Sequence, residues 1–214
     1  KTLRIKGFIM SIVTLNDRAV RSVTAFGSLN TGSMVFIKKL TASSSSTLSF
    51  VNGSSDVVLD STYKEYVFTF NNIHPSNDNV DFYVNASVDG GSNYNVTKTT
   101  SFFRAGHDEA GSGASVAYRA SEDLAQSTGG QIILQQMGND NDQCGSGTLH
   151  LFNPSSTTFV KHFISRVDGM AHNDQILSDF IAGYFNTTSA INAIQFSIEA
   201  GTIESGDICL YGIL

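Results

Sequence analysis

Tryptophan is absent, proline and cysteine occur twice each, and charged residues make up only 15% of the 214-residue chain. Without Trp, the flat aromatic platforms that commonly hold sugars would have to come from the seven tyrosines. Neither Pro75 nor Pro154 sits in a linker-like run, and no break in composition divides the chain, so a single domain is expected. Cys144 and Cys209 form no metal-type pair and read as two scattered free thiols, with a disulfide between them as the alternative. Ordinary domains are about 25% charged; the shortfall excludes a coiled coil, which leans on Glu, Lys and Arg. No stretch approaches the roughly 20 apolar residues of a membrane-spanning helix.

The polarity lies instead in 28 serines, 18 threonines, 16 asparagines and 19 glycines, beside 41% hydrophobic residues. That apolar share excludes a fully disordered chain and points to a soluble β-rich globule with long polar loops. The net charge of −6 is uneven. Lys1, Arg4, Lys6, Arg18, Arg21, Lys38 and Lys39 stand against a single acid, Asp17, in the first 39 residues, and an acidic body follows. Nucleic-acid binding needs a concentrated basic footprint, so none is expected. Residues 1–9 lack the long apolar region and the small-residue cleavage site of a signal peptide and read as a non-native or upstream-translated extension, with the domain over 10–214. Sequons at Asn52, Asn85, Asn95 and Asn186 are no more than an Asn-, Ser- and Thr-rich chain contains by chance.

Alternation dominates. Tyr66, Phe68 and Phe70 share one face and Val67, Thr69 and Asn71 the other, the pattern of a half-buried strand. Further strands are expected at 33–41, 80–88, 94–103, 131–137, 147–153, 159–166, 191–198 and 206–213. Turn signals separate them: Asn52-Gly53, Asp89-Gly90-Gly91, Asp168-Gly169 and Ser205-Gly206-Asp207. The Ser43–Ser46 run reads as a hairpin loop. Helix is expected only over Tyr118–Gln126, about two turns, with Ser178–Tyr184 a weaker candidate; 104–130 is the longest region without strand character. The fold class is therefore all-β, a single antiparallel β-sandwich of jelly-roll type with long polar loops and little helix.

No catalytic constellation stands out. Gly-x-Ser-x-Gly is missing, and Gly111-Ser112-Gly113 and Gly145-Ser146-Gly147 read as flexible turns. His74, His107, His150, His162 and His172 lack metal-site spacing, though His150 and His162 could face each other across a hairpin. His107-Asp108-Glu109 is the densest titratable cluster and has no evident partner for acid–base work. Gly138 to Gln143 is oxygen-rich, making Asp140 and Asp142 weak calcium candidates, without the downstream Glu of an EF-hand. No catalytic residue and no cofactor is expected.

Ala190 to Ile198 followed by Gly201 to Ile213, with Ile-x-x-Ile-x-Phe, a Ser-Gly turn and a strand ending Leu210-Tyr211-Gly212-Ile213, resembles the closing hairpin of a β-sandwich in structural proteins of marine tailed phages. Ser61–Phe68 with Asn72–Ser76, and Leu149–Ser155, resemble other parts of the same family. Cys209 departs from the polar or basic residue usual at its place. The resemblance implies a virion component: a tail-fibre, receptor-binding or capsid-decoration protein that is not an enzyme. It further implies a homo-oligomer, trimer favoured, in contact with other virion proteins and a host surface glycan, without membrane insertion. The alternatives are a glycan-binding, lectin-like module and a polysaccharide hydrolase using a carboxylate pair.

Overall fold

Period-two alternation becomes twelve strands and no helix in the computed structural model, which describes residues 33–214. In chain order they are β1 (Met34–Thr41), β2 (Thr47–Val51), β3 (Glu65–Pro75), β4 (Val80–Ser87), β5 (Lys98–Asp108) and β6 (Ala114–Tyr118). There follow β7 (Gln131–Met137), β8 (Gly145–Phe152), β9 (Lys161–Met170), β10 (Gln175–Phe185), β11 (Ala193–Ile198) and β12 (Ile203–Ile213). The expectations for residues 1–9 and for a domain start at Met10 lie outside the described residues.

The strands form two antiparallel sheets. Eight lie in the order β1-β12-β3-β8-β9-β10-β5-β6, and four in the order β2-β11-β4-β7. The sheets pack face to face as the expected β-sandwich. Setting aside β5, β6, β9 and β10 leaves β1-β12-β3-β8 opposite β2-β11-β4-β7, and through that set the chain changes sheet at every step but β4 to β7, which pair side by side in the smaller sheet. The two inserted strand pairs extend the larger sheet sideways.

Alternation explains the core. Phe50, Phe82 and Phe196 of the smaller sheet point at Phe68 and Phe70 of β3, and Phe196 packs against the other four at centroid distances of 5.1–6.3 Å. All five are buried. Each such side chain stabilises the fold by roughly 1.5–3 kcal/mol on leaving water. The expected inward faces of the last two strands are also found: Ile194, Phe196 and Ile198 on β11, Ile208 and Leu210 on β12, with Tyr211 opposite.

Several local expectations are corrected. Ser178–Tyr184 is the middle of β10, not helix. Tyr118–Gln126 is the end of β6 and a turn: Glu122 and Asp123 both donate to the Arg119 carbonyl, but the next amide, Leu124, donates to Thr100 Oγ1 at 2.8 Å, so no helix propagates. The stretch 104–130 holds the end of β5 and all of β6. Asp168-Gly169 lies inside β9, and the turn follows at 171–174.

Gly145-Ser146-Gly147 opens β8 rather than forming a flexible turn. A Cβ on Gly147 would stand 2.3 Å from the Arg166 carbonyl oxygen, so the absent side chain lets β8 and β9 approach. The pieces expected as hairpins mostly cross between sheets. β11 and β12 belong to different sheets and turn at 199–202; Ser205-Gly206-Asp207 is an irregular part of β12, where Gly206 (φ +118°) lies close over the Asn72 backbone. Asn72–Ser76 continues β3 instead of returning beside it. The serine run 43–46 joins β1 to β2 across the sandwich, held by paired backbone bonds between Ser45 and Ile203.

Candidate functional site

The outer face of the larger sheet is the most distinctive surface, and cross-strand register builds it. One rung reads Thr148, Arg166, Phe180, Phe103 and Tyr118 across β8, β9, β10, β5 and β6. Phe103 and Phe180 stack with planes 2° apart and centroids 4.8 Å apart, and the Arg166 guanidinium lies 5.2 Å over Phe180. The next outward-facing rung is His150, Ile164, Ala182 and Ser101, with small side chains over β10 and β5. Beyond it stand His162, Tyr184 and Thr99, with the His162 and Tyr184 rings 5.9 Å apart. Four residues along a strand span about 13 Å. The low residues over β10 and β5, beside the His162–Tyr184 rung, leave a trough of about 600 Å³ lined by Thr99, Ser101, Phe152, His162, Ile164, Ala182 and Tyr184.

Its polar groups are hydroxyls and imidazole, and no carboxylate lines it. Arg166, on the neighbouring rung, leans toward Asp168 at 3.6 Å. His150 and His162 are thus on one face but not paired with each other: His150 stands opposite Ile164, and its Nδ1 meets Glu65 Oε1 at 2.6 Å.

Behind this face, between the sheets, lies a seam of buried polar groups. Arg104 donates to both carboxylate oxygens of Asp179 at 2.6 and 3.0 Å, and Asp179 Oδ2 also accepts from the Gln135 amide. Burial pushes the Asp179 carboxyl up while the Arg104 guanidinium pulls it down. Arg104 also donates to Gln136 Oε1, and Asp81 receives the Gln136 amide. Arg119 bonds to Glu122 and Gln135, although its Nε has no partner.

Two lysines complete the seam. Lys98 and Lys161 face inward on either side of Phe185, Lys98 donating to Gly129 O and Lys161 to Thr187 O and Ser189 O. Both are fully buried, and desolvation lowers both amines, Lys98 to about 8. Apart from Arg119 Nε, the seam's groups tie strands and loops together.

The residues singled out in the sequence do not converge. Asp140 and Asp142 are exposed on the turn before β8; among the described residues no group of three or more His, Cys, Asp or Glu is placed to hold a metal ion. Asp108 caps the β5–β6 turn by accepting from Ser112 Oγ and N at 2.7 Å, which lowers its carboxyl, while His107 and Glu109 face solvent. His74 bridges Glu204 Oε2 and the Asp140 carbonyl, each at 3.1 Å, beside a pocket of about 330 Å³ that Cys144 also lines. Cys144 is half-buried, Cys209 is buried in β12, and both thiols are free.

Phe103, Phe180, Ala182 and Tyr184 escaped the sequence reading. Their signal, aromatic and small residues in register on neighbouring strands, requires knowing the strand order. No family model, no curated protein and no solved structure matches the chain.

Proposed function

We propose that this chain is a non-enzymatic structural protein of a phage virion surface, of tail-fibre, receptor-binding or capsid-decoration type. The observation that carries the reading is the nested strand order, β1-β12-β3-β8 facing β2-β11-β4-β7, with the chain crossing between sheets at every step of that set except β4 to β7. This order supports a jelly roll, an architecture common in viral capsid and lectin domains. The step from fold to role is an analogy, and the sequence resemblance supports it independently. A rigid sandwich whose loops are pinned from inside by Lys98 and Lys161 suits a part that works by contact.

A glycan-binding role is favoured by the trough. Tyr184, His162, Thr99 and Ser101 line a predominantly apolar trough with no carboxylate, which suits the apolar face of a neutral sugar better than a charged one. The test is a panel of bacterial surface polysaccharides, read for retention and for release of reducing ends. Retention without release, abolished by Ala182→Arg at an unchanged melting temperature, is expected. Release at enzyme-like rates would overturn the non-enzymatic reading; retention by none of the panel would overturn the glycan reading and leave the decoration role.

A further inference from the structure

Among the described residues β6 ends the larger sheet, and this edge differs from the other sheet edges. Edge strands expose unpaired backbone groups, and proteins blunt them with charge, bulges or proline. β1 carries Lys38 and Lys39 and a register shift between Phe36 and Lys38. β7 is irregular in two places against β4, and β2 has Leu48 and Phe50 buried. β6 has none of these protections. Ala114-Ser115-Val116-Ala117-Tyr118 contains no charge, pairs with β5 in unbroken register and is exposed at every residue, Val116 to 76% and Tyr118 to 58%.

The bonding phase of this edge can be read. At one end of the β5–β6 ladder Arg119 N–H donates to Phe102 O, and at the other Asp108 N–H donates to Gly113 O. Antiparallel pairs alternate between bonded and non-bonded. Residues 113, 115, 117 and 119 therefore turn their backbone groups toward β5. The N–H and C=O of Ala114, Val116 and Tyr118 turn outward.

We propose that β6 joins two copies of this chain by antiparallel pairing about a two-fold axis at Val116. In that register Val116 meets Val116 of the second copy, and Ala114 meets Tyr118, each with its backbone groups in the bonded phase. On the outer face each Tyr118 then lies over an Ala114, a large side chain beside a small one, and continues the rung formed with Phe103. On the inner face Ser115 meets Ala117. Arg119 stands opposite Gly113, so no like charges meet, which matters between two chains that each carry −6. The contact is isologous and closes at two copies, which departs from the threefold assembly implied by the resemblance and is independent of the virion reading.

The experiment is light scattering behind a sizing column over a concentration series, on the whole chain and on two variants. Val116→Lys sets two ammonium groups against each other at the axis, on a side chain already in solvent. Phe36→Lys does the same to the β1 edge and serves as the control. The expected result is twice the chain mass for the parent and for Phe36→Lys, and a single chain mass for Val116→Lys with unchanged far-ultraviolet circular dichroism. A parent that stays monomeric at every concentration, a trimer, or a dimer that survives Val116→Lys would each overturn the proposal.

Discussion

Beneath β1, β12, β3 and β8 the sandwich is filled by aliphatic side chains around a cluster of phenylalanines; beneath β9, β10 and β5, apolar side chains such as Phe102, Phe163 and Phe185 share the space with an ion pair, amides and two lysine amines. The aromatic half gains stability in proportion to the area it removes from water and asks little of direction. The polar half depends on geometry. Each buried donor or acceptor is tolerable only while its partner is in place, because the desolvation cost is then offset by a bond. One half can therefore be worn down gradually, while the other fails at single contacts. The difference also separates tasks: the aromatic half holds the two sheets together, and the polar half ties the loops at 119–130 and 186–192 to β5 and β9.

The largest expected effect is in the aromatic half. Phe196→Ala removes the ring that touches Phe50, Phe68, Phe70 and Phe82, and should cost about 4 kcal/mol in urea unfolding. A loss below about 1 kcal/mol would show that this cluster is not the centre of the core.

Next comes Asp179→Ala, which strands the Arg104 guanidinium and should cost about 3 kcal/mol. The paired change Arg104→Met with Asp179→Leu should recover most of that, since two charges are then removed together. If the pair costs as much as the two single changes summed, the seam behaves like the aromatic half and the contrast fails.

The smallest effect is the pH dependence of Lys98. Its amine falls from 10.5 unfolded to about 8 folded, so between those values the unfolded chain binds more protons and stability rises with pH. The parent should gain about 2 kcal/mol relative to Lys98→Met between pH 8 and pH 10. Parallel stability curves for the two proteins would show that burial does not penalise this ammonium.

The same contrast explains what could be read in advance. In β3, β4, β11 and β12 the inward positions are apolar and the outward ones largely polar, so alternation located the strands directly. In β5 and β10 the inward positions include Lys98, Arg104 and Asp179, which invert the pattern. Leu177, Phe180, Ile181 and Tyr184 then fall at helical spacing by accident, because Phe180 and Tyr184 belong to the outer face and Leu177 and Ile181 to the core. The trough was illegible for a related reason. Its residues are not a motif along the chain but a pattern across β8, β9, β10 and β5.

Sequence by itself determined that this chain is a β-sandwich, because strand formation and burial follow from the period of nearby residues and the placing of its turns. It also determined that the last strands would be core, since Ile194, Phe196 and Ile198, then Ile208 and Leu210, recur at every second position. Only the tertiary structure decided which sheet each strand joined, so that β11 and β12 became an arch between sheets rather than a hairpin. Only it could place Lys98, Arg104, Lys161 and Asp179 inside. A buried charge is stable only beside partners distant in the chain, such as Gly129 for Lys98 and Asp179 for Arg104, and nothing local records where those partners will be.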